Sequence, residues 1–247
     1  MSSSAPPSPA PRTRGIGRNI GIGLVVLLAI LGLPALMCVR TFVAQPYNMP
    51  SGSMEPTLLN GDYFFVSKFA YGWSRYSLPF SPPAFDGRIL GVEPQLGDVV
   101  VFRLPRDDTV DYVKRVVGLP GDRVQMIGGA LYLNGTAVKH EQIEDYPYGV
   151  DGRPGQTKRW RETLPNGVSY ETLDLQDNGF LDNTQVYTVP AGHYFMLGDN
   201  RDNSTDSRVL SAVGYVPYDH LVGRVLSVFF SRDGTSVRYE RIGLRVQ

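Results

Sequence analysis

Apolar residues are unevenly spread along this chain, and their spacing predicts two kinds of element. Asn19 to Val39 is one apolar run of about 20 residues with no charge, long enough to span a bilayer core of roughly 30 Å. It exceeds the roughly 7–15-residue apolar stretch of a cleaved signal peptide. It also lacks the polar face of a core helix. Residues 19–40 are therefore predicted to form a single transmembrane helix, in which Pro34 is tolerated as a kink. Arg12, Arg14 and Arg18 precede the run and only Arg40 closes it, which places the N-terminus in the cytoplasm and everything after Arg40 across the membrane. Residues 1–18, rich in Ser, Pro, Ala and Arg and without aromatics, are expected to be disordered.

Beyond residue 40 the pattern changes to short apolar runs cut by Gly, Pro, Asn and Asp. Residues 63–66, 99–102, 111–118, 193–197, 223–230 and 236–239 read as strands, and Ala130–Leu133 turns at Asn134-Gly135 into Thr136–Val138. The predicted fold is mainly β: an antiparallel β-sheet core of residues 41–127 and 188–247, carrying an inserted β subdomain at 128–187, behind one N-terminal transmembrane helix. The loop from Trp73 to Pro94 is rich in Pro, Gly and aromatics. It either dips into the lipid interface or packs on the sheet.

Composition narrows the chemistry. The 24 basic residues balance the 24 acidic ones, so no nucleic-acid partner is expected. Cys38 is alone, which excludes an intramolecular disulfide and a cysteine metal site. His140, His193 and His220 lie far apart without ligand spacing, so neither a metal nor a cofactor is expected.

Three stretches stand out. Pro50 and Pro56 bracket Ser51-Gly52-Ser53-Met54-Glu55, which reads as a surface turn or as a stiff loop presenting a nucleophile. In the strand Asp111–Gly118, Tyr112, Lys114 and Val116 share one face, and Val113, Arg115 and Val117 the other. Lys114 is then either an edge residue snorkelling outwards or a buried lysine. Asp199 to Arg208 is a knot of Asp, Asn, Ser and Arg, either a solvated loop or a hydrogen-bonded scaffold of paired charges.

In this order, Pro50–Leu58, Gly97–Phe102, Asp111–Asp122 and Gly198–Arg208 resemble four motifs of the bacterial type I signal peptidases, the leader peptidase family. The resemblance implies a membrane-bound serine endopeptidase. Such an enzyme removes signal peptides from exported preproteins after small residues, in an Ala-X-Ala-like pattern, with a Ser–Lys dyad. It implies Ser53 as nucleophile and Lys114 as general base, with the Ser51 hydroxyl and the Ser53 N–H as oxyanion donors and Ser204 orienting the lysine. Tyr47, Met49, Leu58, Tyr112 and Val113 would line the substrate pocket. Asp199 with Arg115, and Asp206 with Arg208, would form structural ion pairs. No cofactor follows. The implied partners are signal peptides and the lipid bilayer. The protein is expected to be a monomer in the cytoplasmic membrane, with its catalytic part on the outer, periplasmic side.

The chemistry sets a requirement. A free lysine is only about one part in a thousand neutral near pH 7.5, so a lysine base needs a pKa roughly three lower. A carboxylate beside Lys114 would oppose that. Asp199, Asp202 and Asp206 are therefore expected to face Arg115, Arg201 or Arg208 instead.

Overall fold

The structure, a computed structural model, describes residues 22, 30–32, 43–78, 81, 87–150 and 153–247. Met1–Val39 and Arg40–Gln247 are two compact units. In the first, residues 22 and 30–32 are helical, while the predicted disordered segment 1–18 and nearly all of the predicted anchor 19–40 lie outside the described residues. Among the described residues no helix is long and apolar enough to cross a membrane.

The second unit is built of antiparallel strands. In its first half run β1 (Ala44–Asn48), β2 (Asp62–Ser67), β3 (Val99–Leu104), β4 (Asp107–Gly118), β5 (Arg123–Ile127), β6 (Ala130–Leu133) and β7 (Thr136–Ala137). Then follow β8 (Lys139–Gln142), β9 (Tyr146–Val150), β10 (Arg153–Thr163), β11 (Ser169–Asp174) and β12 (Tyr187–Thr188). The chain closes with β13 (His193–Leu197), β14 (Val216–Pro217), β15 (Leu221–Asp233) and β16 (Ser236–Val237). The principal sheet has the order β1-β2-β15-β3-β4-β13-β14, with β16 paired to β15. β11-β10-β8 with β9, and β12-β5-β6-β7, make two smaller sheets.

Local chemistry explains these elements. Alternation puts Phe64 and Val66 of β2 inside and leaves Phe65 exposed. Asn134 and Gly135 both take positive φ, 55° and 83°, the geometry that closes a two-residue hairpin between β6 and β7. At Asn60-Gly61, Gly61 has φ 89° and a Cβ there would collide with the Arg232 carbonyl oxygen, so only glycine fits between the β2 turn and β15.

Burial divides the core. Met49, Met54, Leu58, Phe64, Val113 and Val225 pack together under the serine stretch. Val117, Phe195 and Leu197 of the principal sheet pack with Leu131, Leu164 and Tyr170 from residues 128–187. The first part of the Trp73–Pro94 loop packs on the protein, since Ser74, Tyr76 and Ser77 are buried, whereas Ile89 and Leu90 are exposed. Residues 79–80 and 82–86 of that loop lie outside the described residues.

Candidate active site

The serine stretch is held from below. Met49 N–H donates to Asp62 O at 2.8 Å, and Gly61 N–H donates back to Met49 O at 3.0 Å. Met54 and Leu58 are fully buried, so two apolar anchors pin the loop that carries Ser53. Asn200 grips the same loop by two bonds: its backbone N–H donates to Ser53 O (3.2 Å) and its Nδ2 to Gly52 O (3.1 Å).

Lys114 is 3% exposed, which settles the choice left by its strand position in favour of burial. Its Nζ donates to Ser53 Oγ at 2.6 Å and lies 5.6 Å from the centre of the Tyr112 ring. Burial lowers the Lys114 ammonium from 10.5 to about 8, against the attraction of the Asp206 and Asp199 carboxylates. Near pH 7.5 roughly a quarter of such a lysine is neutral, against about one part in a thousand for a free one. Ser51 Oγ donates to Ser53 Oγ at 3.3 Å.

The polar knot is a buried scaffold. Arg208 donates from Nε and Nη2 to the two oxygens of Asp206, each at 2.8 Å. Burial disfavours the Asp206 anion, but the Arg208 charge and the bonds it receives outweigh that and hold its carboxyl below the ordinary value. Arg115, fully buried, donates from Nε and Nη2 to Asp199 at 2.8 Å each, while its Nη1 reaches Gly97 O and Gln247 O at 2.7 Å. Both predicted ion pairs therefore exist. Asp202 departs from expectation: it accepts from the backbone N–H groups of Leu175 (2.8 Å) and Gln176 (3.0 Å). Arg201 pairs with Glu162 instead, through Nη1 at 2.8 Å and Nη2 at 2.5 Å. Two backbone donors satisfy Asp202 at the chain reversal after β11, and this leaves the Arg201 fork for a carboxylate on a different strand.

A cleft of 540 Å³ opens beside the pair, lined by Tyr47, Met49, Ser51, Tyr112 and Val113 together with Ser53 and Lys114. Leu58 lies in the core beneath rather than among the lining residues. Ser204 is buried with its hydroxyl donating to Asp206 Oδ2 at 2.8 Å. A Cβ at Gly198 would collide with Ser204 Oγ and the Ser53 carbonyl oxygen, so the bare backbone is what lets the knot reach the serine loop.

Residues 21–230 match the model of a family described as signal peptidase, peptidase S26. The chain belongs to this family. A signal peptidase I of Rickettsia typhi is 41% identical over 203 residues, spanning 79% of this chain and 75% of the relative. One of Rickettsia canadensis is 40% identical over 216 residues, 84% and 77% of the two chains. A solved signal peptidase I from Enterococcus faecalis is similar over 54% of this chain and 97% of its own, at 29% identity and a TM-score of 0.32. As a signal peptidase family member the protein is an enzyme, a serine peptidase.

Three residues that sequence reasoning missed support this family site from the stretch 128–187. Glu162 is fully buried and receives both Arg201 and the Tyr170 hydroxyl, the latter at 2.7 Å. The Tyr170 ring lies 4.0 Å from the Arg115 guanidinium. The Tyr148 hydroxyl accepts from Asn203 Nδ2 at 3.2 Å and Asn200 Nδ2 at 3.4 Å. Their sequence neighbourhood carries no motif; an isolated glutamate at a strand position was the one visible signal for Glu162.

Proposed function

We propose that this chain is a membrane-bound endopeptidase that removes signal peptides from exported preproteins, using Ser53 as nucleophile and Lys114 as its base. The observation that carries the reading is the 2.6 Å contact between Lys114 Nζ and Ser53 Oγ in a buried site where desolvation favours the neutral amine. A neutral Lys114 accepts the Ser53 proton as Oγ attacks the scissile carbonyl. The resulting ammonium donates it to the departing amine, and the released N-terminus is that of the mature protein. Water then opens the acyl-enzyme by the same proton path in reverse.

The Ser53 N–H and the Ser51 hydroxyl serve the developing oxyanion once the Ser51 proton turns from Ser53 Oγ to the substrate oxygen. Tyr47, Met49, Tyr112 and Val113 form walls that favour small side chains before the cut, consistent with Ala-X-Ala-like sites. Residues 112–114 of β4 lie beyond its pairing with β13, which starts at Arg115, so an extended substrate can pair with this free edge. The role given to Ser204, orienting the lysine, would use its oxygen as an acceptor, since its proton is committed to Asp206. Residues 19–40 anchor the enzyme once in the cytoplasmic membrane with the N-terminus inside. Residues 41–127 and 188–247 act as a monomeric catalytic core on the outer face, with 128–187 as its insertion.

Cleavage of a preprotein by the detergent-solubilised chain tests this. The rate is expected to rise with pH through about 8 and then level, because the active base is the deprotonated amine and protonation below that value removes it. A rate independent of pH between 6 and 9 (roughly the span in which such a base titrates) would exclude Lys114 as the base. Ser51→Ala is expected to lose on the order of 10²–10³ in kcat with little change in KM, the usual effect of deleting one oxyanion donor. A full-rate Ser51→Ala enzyme would show that the hole is built from other groups.

A further inference from the structure

Both walls of the cleft advance towards Ser53: β4 from Val110 to Lys114, and β1 with its following loop from Tyr47 to Ser51. A substrate lying between them keeps its upstream residues beside Val110–Val113. Its downstream residues must leave at the other end, past Pro50 and Asn203. A second groove, of 690 Å³, begins there and shares Asn48, Met49, Pro50 and Asn203 with the cleft. That volume falls within the range of about 300–1,000 Å³ typical of ligand-binding clefts.

The groove starts polar and directional. Beside Gly52, the position of a Cβ is 3.1 Å from Glu55 Oε1 and 3.4 Å from Asn203 Nδ2. Tyr146, Pro147 and Tyr148 of β9 form one side, and Asn203 is held there by its bond to the Tyr148 hydroxyl. Glu55 is half-buried, and burial raises its carboxyl above the ordinary value although it accepts a backbone hydrogen bond from Asn60, so it gains by meeting a further cation. The two arginines that attract it are engaged elsewhere, Arg238 with Asp233 at 3.1 Å and Arg241 with Asp62 at 2.6 Å. Arg232 and Arg238 belong to the Asn60-Gly61 end of the groove, where Arg238 donates to the carbonyl oxygens of Asn60 and Arg232.

We propose that this groove binds the first residues downstream of the cut, with Tyr148 and Asn203 forming its mouth and Glu55 selecting for a basic side chain there. The inference rests on the peptidase reading above and adds to it the recognition of the mature side of the substrate.

The test uses the full chain in detergent and substrates with one common cleavage site. One ends directly after the first downstream residue. The others continue for several residues and carry Lys, Asp or Gln next to the cut. Wild type is expected to show a KM about tenfold lower for the extended Gln substrate than for the short one, and about a tenfold preference for Lys over Asp. Glu55→Gln is expected to abolish the Lys–Asp preference, and Tyr148→Ala the advantage of length, with Tyr148→Phe retaining most of it. Equal KM values for the short and extended substrates in wild type overturn the proposal without any variant. An unchanged Lys–Asp preference in folded Glu55→Gln overturns the role of Glu55. Failure of wild type to cleave any of the substrates instead removes the peptidase reading itself, and this inference with it.

Discussion

Lys114→Met is expected to give a folded protein whose kcat for preprotein cleavage falls on the order of 10⁴-fold or more, with KM little changed. The Ser53 hydroxyl is a weak nucleophile, and the Lys114 amine lies 2.6 Å from it. Methionine fills similar volume without an ionisable group. The fold should not suffer. The Lys114 pKa is lowered on folding, so the unfolded chain holds the lysine proton more tightly. Below about pH 8 burial of that lysine therefore costs stability, about 3 kcal/mol, a penalty that fades as pH rises from about 8 to the unfolded value near 10.4. Removing the amine recovers much of that at neutral pH, less the bond to Ser53. The thermal midpoint at pH 7 should match or exceed wild type. Cleavage assays beside circular dichroism decide the matter: a folded Lys114→Met enzyme with near-normal turnover would return Lys114 to a structural role.

Asp199→Ala should have the largest effect on stability. It strips the paired carboxylate from a fully buried guanidinium, leaving Arg115 with the Gly97 carbonyl oxygen, the Gln247 backbone oxygen and the Thr57 hydroxyl. Breaking a buried pair in this way costs about 3–5 kcal/mol, a large part of a typical domain's 5–15 kcal/mol. With a urea m-value of about 1–3 kcal/mol/M, the midpoint should fall by one molar or more. Thr57 also loses its acceptor, since its hydroxyl donates to Asp199 Oδ2 at 2.5 Å. An Asp199→Ala midpoint within experimental error of wild type would mean that Arg115 is satisfied by backbone alone. Asp199→Asn, which keeps the shape and loses the charge, separates the electrostatic part from the packing.

Much of this architecture is visible in the linear pattern. The period-two alternation in β4 assigned Tyr112, Lys114 and Val116 to one face, and the structure has Tyr112 packed against the apolar cluster that contains Val116, with its ring near the Lys114 amine. Asn134-Gly135 marked a hairpin because few other dipeptides accept two positive φ values in succession. The candidate pair Ser53 and Lys114, 61 positions apart, came from motif resemblance. Strand alternation alone left Lys114 open between an edge and a buried place. Burial is decided by what packs around that position: β3 pairs with it through Val100, and the serine loop brings Ser53 Oγ onto its amine.

The Asp-rich knot shows where reading along the chain stops. Its opposite charges, and the family resemblance, predicted that Asp199 and Asp206 would find arginines, and they did. Arg201 nonetheless chose Glu162, 39 positions away, over Asp202 beside it. A bidentate pair needs a carboxylate in the plane of the guanidinium fork, and Asp202 is turned instead to the backbone N–H groups of Leu175 and Gln176. The same holds for Tyr148, Tyr170 and Gly198. Their side chains, or the lack of one, matter only because sheets distant in sequence meet at the serine loop. The sequence by itself determined the mainly β class of fold, the β alternation and the turn positions, because these depend on local sterics and residue type. Tertiary structure alone decided that the lysine is dry, that Asn200 clamps the serine loop and that a second groove opens beyond Ser53, because desolvation and directed hydrogen bonds exist only once distant strands have packed together.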